Sequence, residues 1–151
     1  MKSHFFAYIA RMRYITRWAL MRNTFSENVQ EHSHMVAVLA HALALIRTRV
    51  YGIPTDANAV AVAALYHDAT EILTGDMPTP IKYYNPEIRD AYRKVEAVAS
   101  DKLLSMLPED LQEAFDGLKA AMEDGTLTEA RIDESVRRIL TVKAAYGLLK
   151  D

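Results

Sequence analysis

The sequence predicts an all-α protein, and three observations support this fold class. Apolar residues recur at three- and four-residue spacing along almost the whole chain, as on the buried face of a helix. No convincing run of alternating β-branched residues predicts a strand. Of the 151 residues, 50% are hydrophobic and 25% are charged, which is the balance of a globular protein. The length suits one domain, so we expect residues 1–151 to form a single bundle of about six helices.

The first two helices are placed by periodicity and by a capping pair. Apolar residues spaced three and four apart predict a helix over residues 4–14. Asn28 followed by Glu31 is typical of a capping box and predicts the start of a long helix that continues to about Arg49. Gly52 then breaks the chain.

The remaining helices are placed by caps and prolines. Asp56 caps a predicted third helix over residues 57–73. Residues 74–80 contain two prolines around one threonine, which predicts a rigid loop. Three further helices are predicted over residues 85–106, from Pro108 onward, and over residues 128–146.

The composition excludes several classes of protein. Without cysteine there is no disulfide, thiolate zinc site, iron–sulfur cluster or cysteine nucleophile. The longest apolar stretch, Val36–Ile46, contains His41 and is far shorter than the roughly 18–20 residues of a membrane-spanning helix. No secretory signal is recognisable at the amino terminus. We therefore expect a cytoplasmic protein without a membrane partner.

Charge is unevenly distributed along the chain. Residues 1–26 contain five basic residues and no acid, although the whole chain has a net charge of −2. Such a segment either binds phosphate or forms the ordinary basic face of a helix, and the composition alone favours the second interpretation. A protein that binds nucleic-acid polymers is expected to be more basic overall.

Three groups of polar residues interrupt the apolar helix faces. His32 lies on a predicted apolar face, where a lone histidine is more often a core residue than a ligand. His67 and Asp68 interrupt an Ala- and Val-rich helix, and burying Asp68 unpaired costs several kcal/mol. Asp68 must therefore meet a cation, a cluster of donors or a metal, since imidazole and carboxylate are good ligands of divalent transition metals. The alternative is a buried salt-bridge network with a structural role.

The third group follows directly in the chain. Glu71 lies four residues after His67, on the same side of a helix. The loop that begins at Gly75 then presents the carboxylate of Asp76 and the hydroxyl of Thr79. The alternative interpretation of this loop is a plain turn between helices.

Together these groups form an ordered set of motifs that resembles the HD-domain 5′-deoxynucleotidases of bacteria. The motifs are Arg17-Trp18, Gln30-Glu31-His32-Ser33, Tyr66-His67-Asp68-Ala69-Thr70-Glu71 and the stretch from Gly75 to Lys82. The resemblance covers roughly residues 1–118. It implies a helical HD fold, a homodimer, and hydrolysis of deoxynucleoside 5′-monophosphates with a divalent metal. The metal is expected to be cobalt, with manganese or another transition metal as alternatives.

The resemblance also implies a role for each matching residue. His32, His67 and Asp68 match metal ligands, while Arg17 matches the residue that orients the phosphate. Trp18 matches an aromatic residue that packs against the sugar and disfavours a ribose 2′-hydroxyl. Two acids match residues needed for catalysis, and four consecutive residues match substrate contacts. The acids are Glu71 and Asp76, and the contacts are Asp76, Met77, Pro78 and Thr79.

The carboxyl-terminal segment departs from this pattern. The family's last metal-ligand motif is absent, and residues 121–150 instead resemble a helical segment of family 3 glycoside hydrolases that carries no catalytic residue. The chain is then a hybrid in which Asp133 takes the place of the fourth metal ligand. The alternative for Asp133 is a solvated acid near the start of a helix. Two other functions stay open: an inert helical scaffold that keeps metal or nucleotide binding, and hydrolysis of a diester or an alarmone.

Overall fold

Helices of very different length make up the described part of the chain. The computed structural model describes residues 4–20, 22, 24–112 and 115. A 3₁₀-helix at Ala10–Tyr14 continues the first α-helix directly. The α-helices are α1 (Phe5–Ile9), α2 (Val29–Tyr51), α3 (Ala57–Tyr66), α4 (Glu71–Thr74), α5 (Thr79–Lys82) and α6 (Pro86–Leu104). Within these residues the only extended pairing is an isolated antiparallel bridge between Thr16 and Asn28, so the predicted all-α class is confirmed.

The longest helix, α2, begins where the sequence predicts. The Asn28 side chain accepts a hydrogen bond from the Glu31 N–H at 3.0 Å, and the Glu31 carboxylate accepts one from the Asn28 N–H at 3.2 Å. This capping box satisfies two donors that the first helical turn leaves free. The helix ends at Tyr51, two residues beyond the prediction, where Gly52 adopts the left-handed conformation with φ of 66°.

Three small clusters of buried side chains hold the helices together. The first packs α2 against α3 through Val36, Ala37, Ala40, Ala44, Val60 and Ala64. The second joins α1 to the end of α6 through Phe5, Ala69, Leu103 and Leu107. The third packs the 3₁₀-helix against α2 and α4 through Met12, Val29 and Ile72. The second cluster therefore fixes the turn at residues 67–70 through Ala69, and the third fixes α4 through Ile72.

The predicted continuous helix over residues 57–73 is wrong. The α-helix ends at Tyr66, and residues 67–70 form a turn before α4 begins at Glu71. In this turn the Ala69 N–H donates to the Tyr66 carbonyl at 2.9 Å, a bond to the third preceding residue instead of the fourth. The ring of His67 also bonds the Ala64 carbonyl at 2.7 Å, and so competes for the acceptor that a continuing helix uses.

Two further boundaries differ from the prediction. The helix expected over residues 4–14 changes to 3₁₀ geometry at Ala10, as often happens where a helix ends. The expected loop over residues 74–80 is shorter, because α5 begins at Thr79. Pro80 lies in the first turn of α5, where its missing N–H leaves no hydrogen bond unmade.

The sixth α-helix starts as predicted. The Asn85 side chain accepts from the Ile88 N–H at 2.8 Å, and Pro86 occupies the first helical position. Residues 109–112 are helical, but most of the helix predicted from Pro108, and all of that over residues 128–146, lie outside the described residues. Among the described helices, none combines the length and apolar character needed to cross a membrane.

Candidate metal centre

A backbone pairing brings the first segment of the site to the start of α2. The Arg17 N–H donates to the Glu27 carbonyl at 2.9 Å, and the Val29 N–H donates to the Ile15 carbonyl at 2.9 Å. These bonds hold residues 15–17 against residues 27–29. Arg17 therefore lies beside the first turns of the helix that carries His32.

Two histidines and one aspartate form a group that could hold a metal ion. His32 belongs to α2, while His67 and Asp68 occupy the turn after α3. One ligand atom from each residue lies within 4.8 Å of the others. Oδ2 of Asp68 lies 3.0 Å from Nε2 of His67 and 3.7 Å from Nε2 of His32.

The donor set of this group fits a divalent transition metal. Nδ1–H of His67 donates to the Ala64 carbonyl at 2.7 Å, which leaves Nε2 facing Asp68. Such a hydrogen bond on the outer ring nitrogen is what usually orients a histidine ligand. Two imidazole nitrogens and one carboxylate oxygen suit zinc, manganese, cobalt and similar ions. Asp133, the predicted fourth ligand, lies outside the described residues.

Arg17 projects into the same group and meets several carboxylates. Its Nη1 lies 3.0 Å from Oδ2 of Asp68 and 4.0 Å from Oδ1 of Asp76. Its Nε lies 3.6 Å from Oε2 of Glu27. The acids around it outnumber this guanidinium, so a bound cation would reduce their mutual repulsion.

The surroundings shift the pKa values of the two histidines in opposite directions. Burial, with the positive charge of Arg17, lowers the pKa of His32 to about 4. This ring is therefore neutral at neutral pH and has a free lone pair for a metal. Burial also acts to lower the pKa of His67, but the hydrogen bond and the negative charge of Asp68 outweigh it and raise that pKa.

Asp68 is held in its ionised form by its neighbours. Burial alone would raise its pKa. The hydrogen bond from His67 and the positive charges around the carboxylate outweigh burial, so the pKa of Asp68 is lowered. The cation or donor cluster that the sequence requires for Asp68 is thus present in Arg17 and His67.

The pKa of Glu71 is shifted in the opposite direction to that of Asp68. Burial, followed by the negative charges of Asp68 and Asp76, raises the pKa of Glu71 to about 9. Its Oε2 is buried and has no hydrogen-bond partner within the described structure. A buried carboxyl with such a raised pKa carries a proton at neutral pH, which is typical of a functional site.

The loop between α4 and α5 contributes the remaining predicted residues. The Asp76 carboxylate accepts a hydrogen bond from the backbone N–H of Trp18, whose φ of 54° is uncommon for a residue other than glycine. The Pro78 side chain is fully buried, while Met77 and Thr79 are partly buried. The structure thus brings Trp18 and Asp76 together at the edge of the metal-ligating group.

Two contributors to the site were not predicted from the sequence. Glu27 faces both Arg17 and His32, and Tyr92 of α6 binds the loop through its hydroxyl, which donates to the Gly75 carbonyl at 3.2 Å. The signal for Glu27 was its position five residues before His32. Tyr92 carries no such signal, because its contact with Gly75 depends on tertiary packing.

Replacing Tyr92 with Phe should loosen the loop that carries Asp76. The change removes the hydroxyl but keeps the ring, whose centroid lies 5.4 Å from Nζ of Lys82. We expect the free energy of unfolding to fall by about 1 kcal/mol, since one hydrogen bond is lost. Urea denaturation measures this loss. Tyr84→Phe is the matched control, because Tyr84 is 79% exposed, and equal stability of the two variants would contradict the anchoring role.

Comparisons with known proteins show which family model and which relatives this chain matches. The family model described as 5′-deoxynucleotidase YfbR-like matches residues 4–145. A 5′-deoxynucleotidase of Vibrio vulnificus (strain YJ016) is 61% identical over 114 residues, which are 76% of this chain and 59% of that protein. The chain thus spans about three fifths of the length of this curated relative.

Solved structures show the same fold. An HD-domain phosphohydrolase from Listeria innocua is 26% identical with a TM-score of 0.68, covering 76% of this chain and 55% of that one. A cyanophage S-2L HD phosphohydrolase, bound to dA and one catalytic Zn²⁺, is 23% identical with a TM-score of 0.53, covering 90% of this chain and 94% of that one. The second likeness supports the fold alone.

The family match also bears on the carboxyl-terminal segment. It continues to residue 145 and so includes most of residues 121–150, whereas the comparisons add no support to the glycoside hydrolase resemblance or to a hybrid chain. That resemblance stays a prediction from the sequence. On the extent of the family match and the identity to the Vibrio protein, the chain belongs to the 5′-deoxynucleotidase YfbR-like family.

Proposed function

We propose that the chain is a metal-dependent phosphomonoesterase that hydrolyses deoxynucleoside 5′-monophosphates to a deoxynucleoside and phosphate. One observation carries the proposal: a single oxygen, Oδ2 of Asp68, lies 3.0 Å from both the Arg17 guanidinium and the His67 ring. A phosphate-binding group and a metal-ligating group therefore share one site. The curated relative of Vibrio vulnificus, named a 5′-deoxynucleotidase, supports the same activity.

In this proposal His32, His67 and Asp68 would hold the metal, and Asp133 would complete its ligands. When bound, the ion would supply positive charge to the phosphate oxygens and lower the pKa of water. We propose cobalt as an effective ion, with manganese or zinc as alternatives that the same donor atoms accept. The cyanophage HD phosphohydrolase, which shares the fold, is itself bound to one catalytic Zn²⁺.

Side chains around the metal-ligating group would position the substrate. The guanidinium of Arg17 presents a planar set of donors that suits phosphate oxygens. Trp18 follows it directly and would pack against the deoxyribose, where a 2′-hydroxyl is disfavoured. The loop residues Met77, Pro78 and Thr79 would contact the nucleoside, with Pro78 acting through its backbone because its side chain is buried.

Hydrolysis requires that water attack phosphorus and that the departing 5′-oxygen receive a proton. Without a bound metal Glu71 carries a proton at neutral pH, since its pKa is raised to about 9, and we assign it the role of giving a proton to the leaving oxygen. Asp76 is oriented by the Trp18 N–H and can accept the proton of the attacking water. The products are then a neutral nucleoside and inorganic phosphate.

We also propose that the protein works in the cytoplasm as a homodimer of single HD-type domains, each spanning residues 1–151. Support comes from α2, where Met35, Val38 and Ile46 expose apolar side chains at spacings that share one face. A second copy would cover such a surface. Neither a membrane nor a nucleic-acid polymer is a partner in this proposal.

Release of inorganic phosphate tests the proposed activity. The purified chain is incubated with dAMP, dTMP, AMP or bis(p-nitrophenyl) phosphate, each with CoCl₂, MnCl₂, ZnCl₂ or EDTA. We expect metal-dependent release from both deoxynucleotides, slower release from AMP and no cleavage of the diester. Release no higher than in a metal-only blank would contradict the proposal. Metal uptake without turnover would instead support an inert scaffold, and cleavage of the diester would favour a different HD phosphohydrolase.

A further inference from the structure

Glu27 lies between Arg17 and the metal-ligating residue His32. Its carbonyl accepts from the Arg17 N–H at 2.9 Å, beside the bridge between Thr16 and Asn28. The residue immediately precedes the cap of α2 and is only half-buried, with a side chain 33% exposed. The backbone therefore fixes Glu27 next to Arg17 and just before the start of α2, five residues before His32.

One carboxylate oxygen of Glu27 faces two functional side chains. Its Oε2 lies 3.6 Å from Nε of Arg17 and 3.7 Å from Nδ1 of His32. On the far side of the same ring, Nε2 of His32 lies 3.7 Å from Oδ2 of Asp68. The His32 ring is thus placed with one nitrogen toward the metal-ligating group and the other toward Glu27.

This arrangement has a known physical consequence. A histidine that binds a metal usually donates its other ring N–H to a carboxylate or carbonyl, which fixes both the tautomer and the ring orientation. His67 has such a partner in the Ala64 carbonyl. Glu27 places a carboxylate on the corresponding side of the His32 ring, at 3.7 Å, which is longer than a hydrogen bond. The same carboxylate faces the Nε side of Arg17 while Nη1 faces Asp68.

We propose that Glu27 is a positioning residue that orients His32 for the metal and Arg17 for the phosphate. The inference rests on the proposed function, since it assigns Glu27 to that site. Glu27 touches neither the substrate nor the reacting atoms. It acts through the two side chains that its Oε2 faces.

The neighbouring Glu31 offers a matched control. Glu31 lies four residues further along and closes the capping box with Asn28, so its loss weakens the same end of α2. Its carboxylate is bound to the Asn28 N–H. A merely structural role of Glu27 would therefore give Glu27→Ala and Glu31→Ala similar effects.

Isothermal titration with CoCl₂ and steady-state kinetics with dAMP test the inference. We expect Glu27→Ala to weaken Co²⁺ binding about tenfold, the lower end of the effect of removing an outer partner of a metal ligand. KM for dAMP should rise as well, because Arg17 loses one of its anchors. Glu27→Gln keeps an acceptor oxygen at the same reach and should recover part of the Co²⁺ affinity. Glu31→Ala should lower the melting temperature without changing Co²⁺ affinity.

Two results would overturn the inference. One is unchanged Co²⁺ affinity and KM in Glu27→Ala. The other is an equal loss of Co²⁺ affinity in Glu31→Ala, which would assign the effect to the helix end. A parent chain that binds Co²⁺ but releases no phosphate contradicts the proposed function alone. In that case the Co²⁺ affinities of the parent, Glu27→Ala and Glu31→Ala still decide the role of Glu27. A parent chain that binds no Co²⁺ contradicts both.

Discussion

Replacement of Asp68 by Asn is expected to lower phosphate release from dAMP by about 1000-fold. Since each factor of ten corresponds to about 1.4 kcal/mol, this is a loss of about 4 kcal/mol of transition-state stabilisation. A metal supplies several kcal/mol of such stabilisation. In the proposed site Asp68 joins the candidate metal ligands to Arg17, since its Oδ2 lies 3.0 Å from Arg17 and from His67. Asparagine keeps the shape of the side chain but removes the charge. Initial rates in saturating CoCl₂ measure the loss, and titration with CoCl₂ should show weaker binding.

Folding has to be separated from chemistry in this test. Asp68 is buried among charged groups, and removing one member of such a network leaves the others uncompensated. Circular dichroism should show that Asp68→Asn retains the helical content of the parent. Asp90→Asn is the matched control, because Asp90 is exposed on α6 and should keep full activity. An Asp68→Asn protein that retains a tenth or more of the parental rate (about 1.4 kcal/mol or less) would contradict the role of Asp68.

Local signals were sufficient to predict where the long helices begin. The capping box of Asn28 and Glu31 starts α2, and Asn85 with Pro86 starts α6, because each interaction lies within one helical turn. The end of α3 was not predictable in this way. It coincides with the bond between the His67 ring and the Ala64 carbonyl, in a turn held by tertiary packing of Ala69.

In the candidate site, too, the residues that are close in the sequence could be predicted, and those brought together by tertiary contacts could not. His67, Asp68 and Glu71 are close in the sequence, so one segment suggested a metal or ion-pair site. Arg17 lies 51 residues from Asp68, and only the pairing of residues 15–17 with residues 27–29 brings it there. Periodicity contains no information on such a contact, so Arg17 was identified through its family resemblance. Glu27 lies outside the matched motifs. Its only signal in the sequence was its position five residues before His32, and its proximity to Arg17 and His32 emerged from the distances.

Replacement of Glu71 by Gln is expected to lower activity but to raise stability at alkaline pH. We expect phosphate release to fall about 100- to 1000-fold, within the range for loss of a general acid or base. The stability effect follows from the raised pKa of Glu71, about 9 in the folded chain against 4.5 as its ordinary value. Between these values the folded state binds more protons than the unfolded state, so rising pH lowers the free energy of unfolding. Glutamine does not titrate and removes this loss.

The difference between Glu71→Gln and the parent isolates this carboxyl from the other titrating groups. Urea denaturation in EDTA should show the variant gaining about 2 kcal/mol relative to the parent between pH 7 and pH 9, because one pKa unit corresponds to 1.36 kcal/mol. Glu109→Gln, at an exposed position, should show no such gain. A parallel loss of activity and stability in Glu71→Gln would mean that Glu71 supports the fold. If activity falls while stability at alkaline pH rises, Glu71 serves catalysis at a cost in stability. Such a cost is expected of a carboxyl whose pKa is shifted by burial at a functional site.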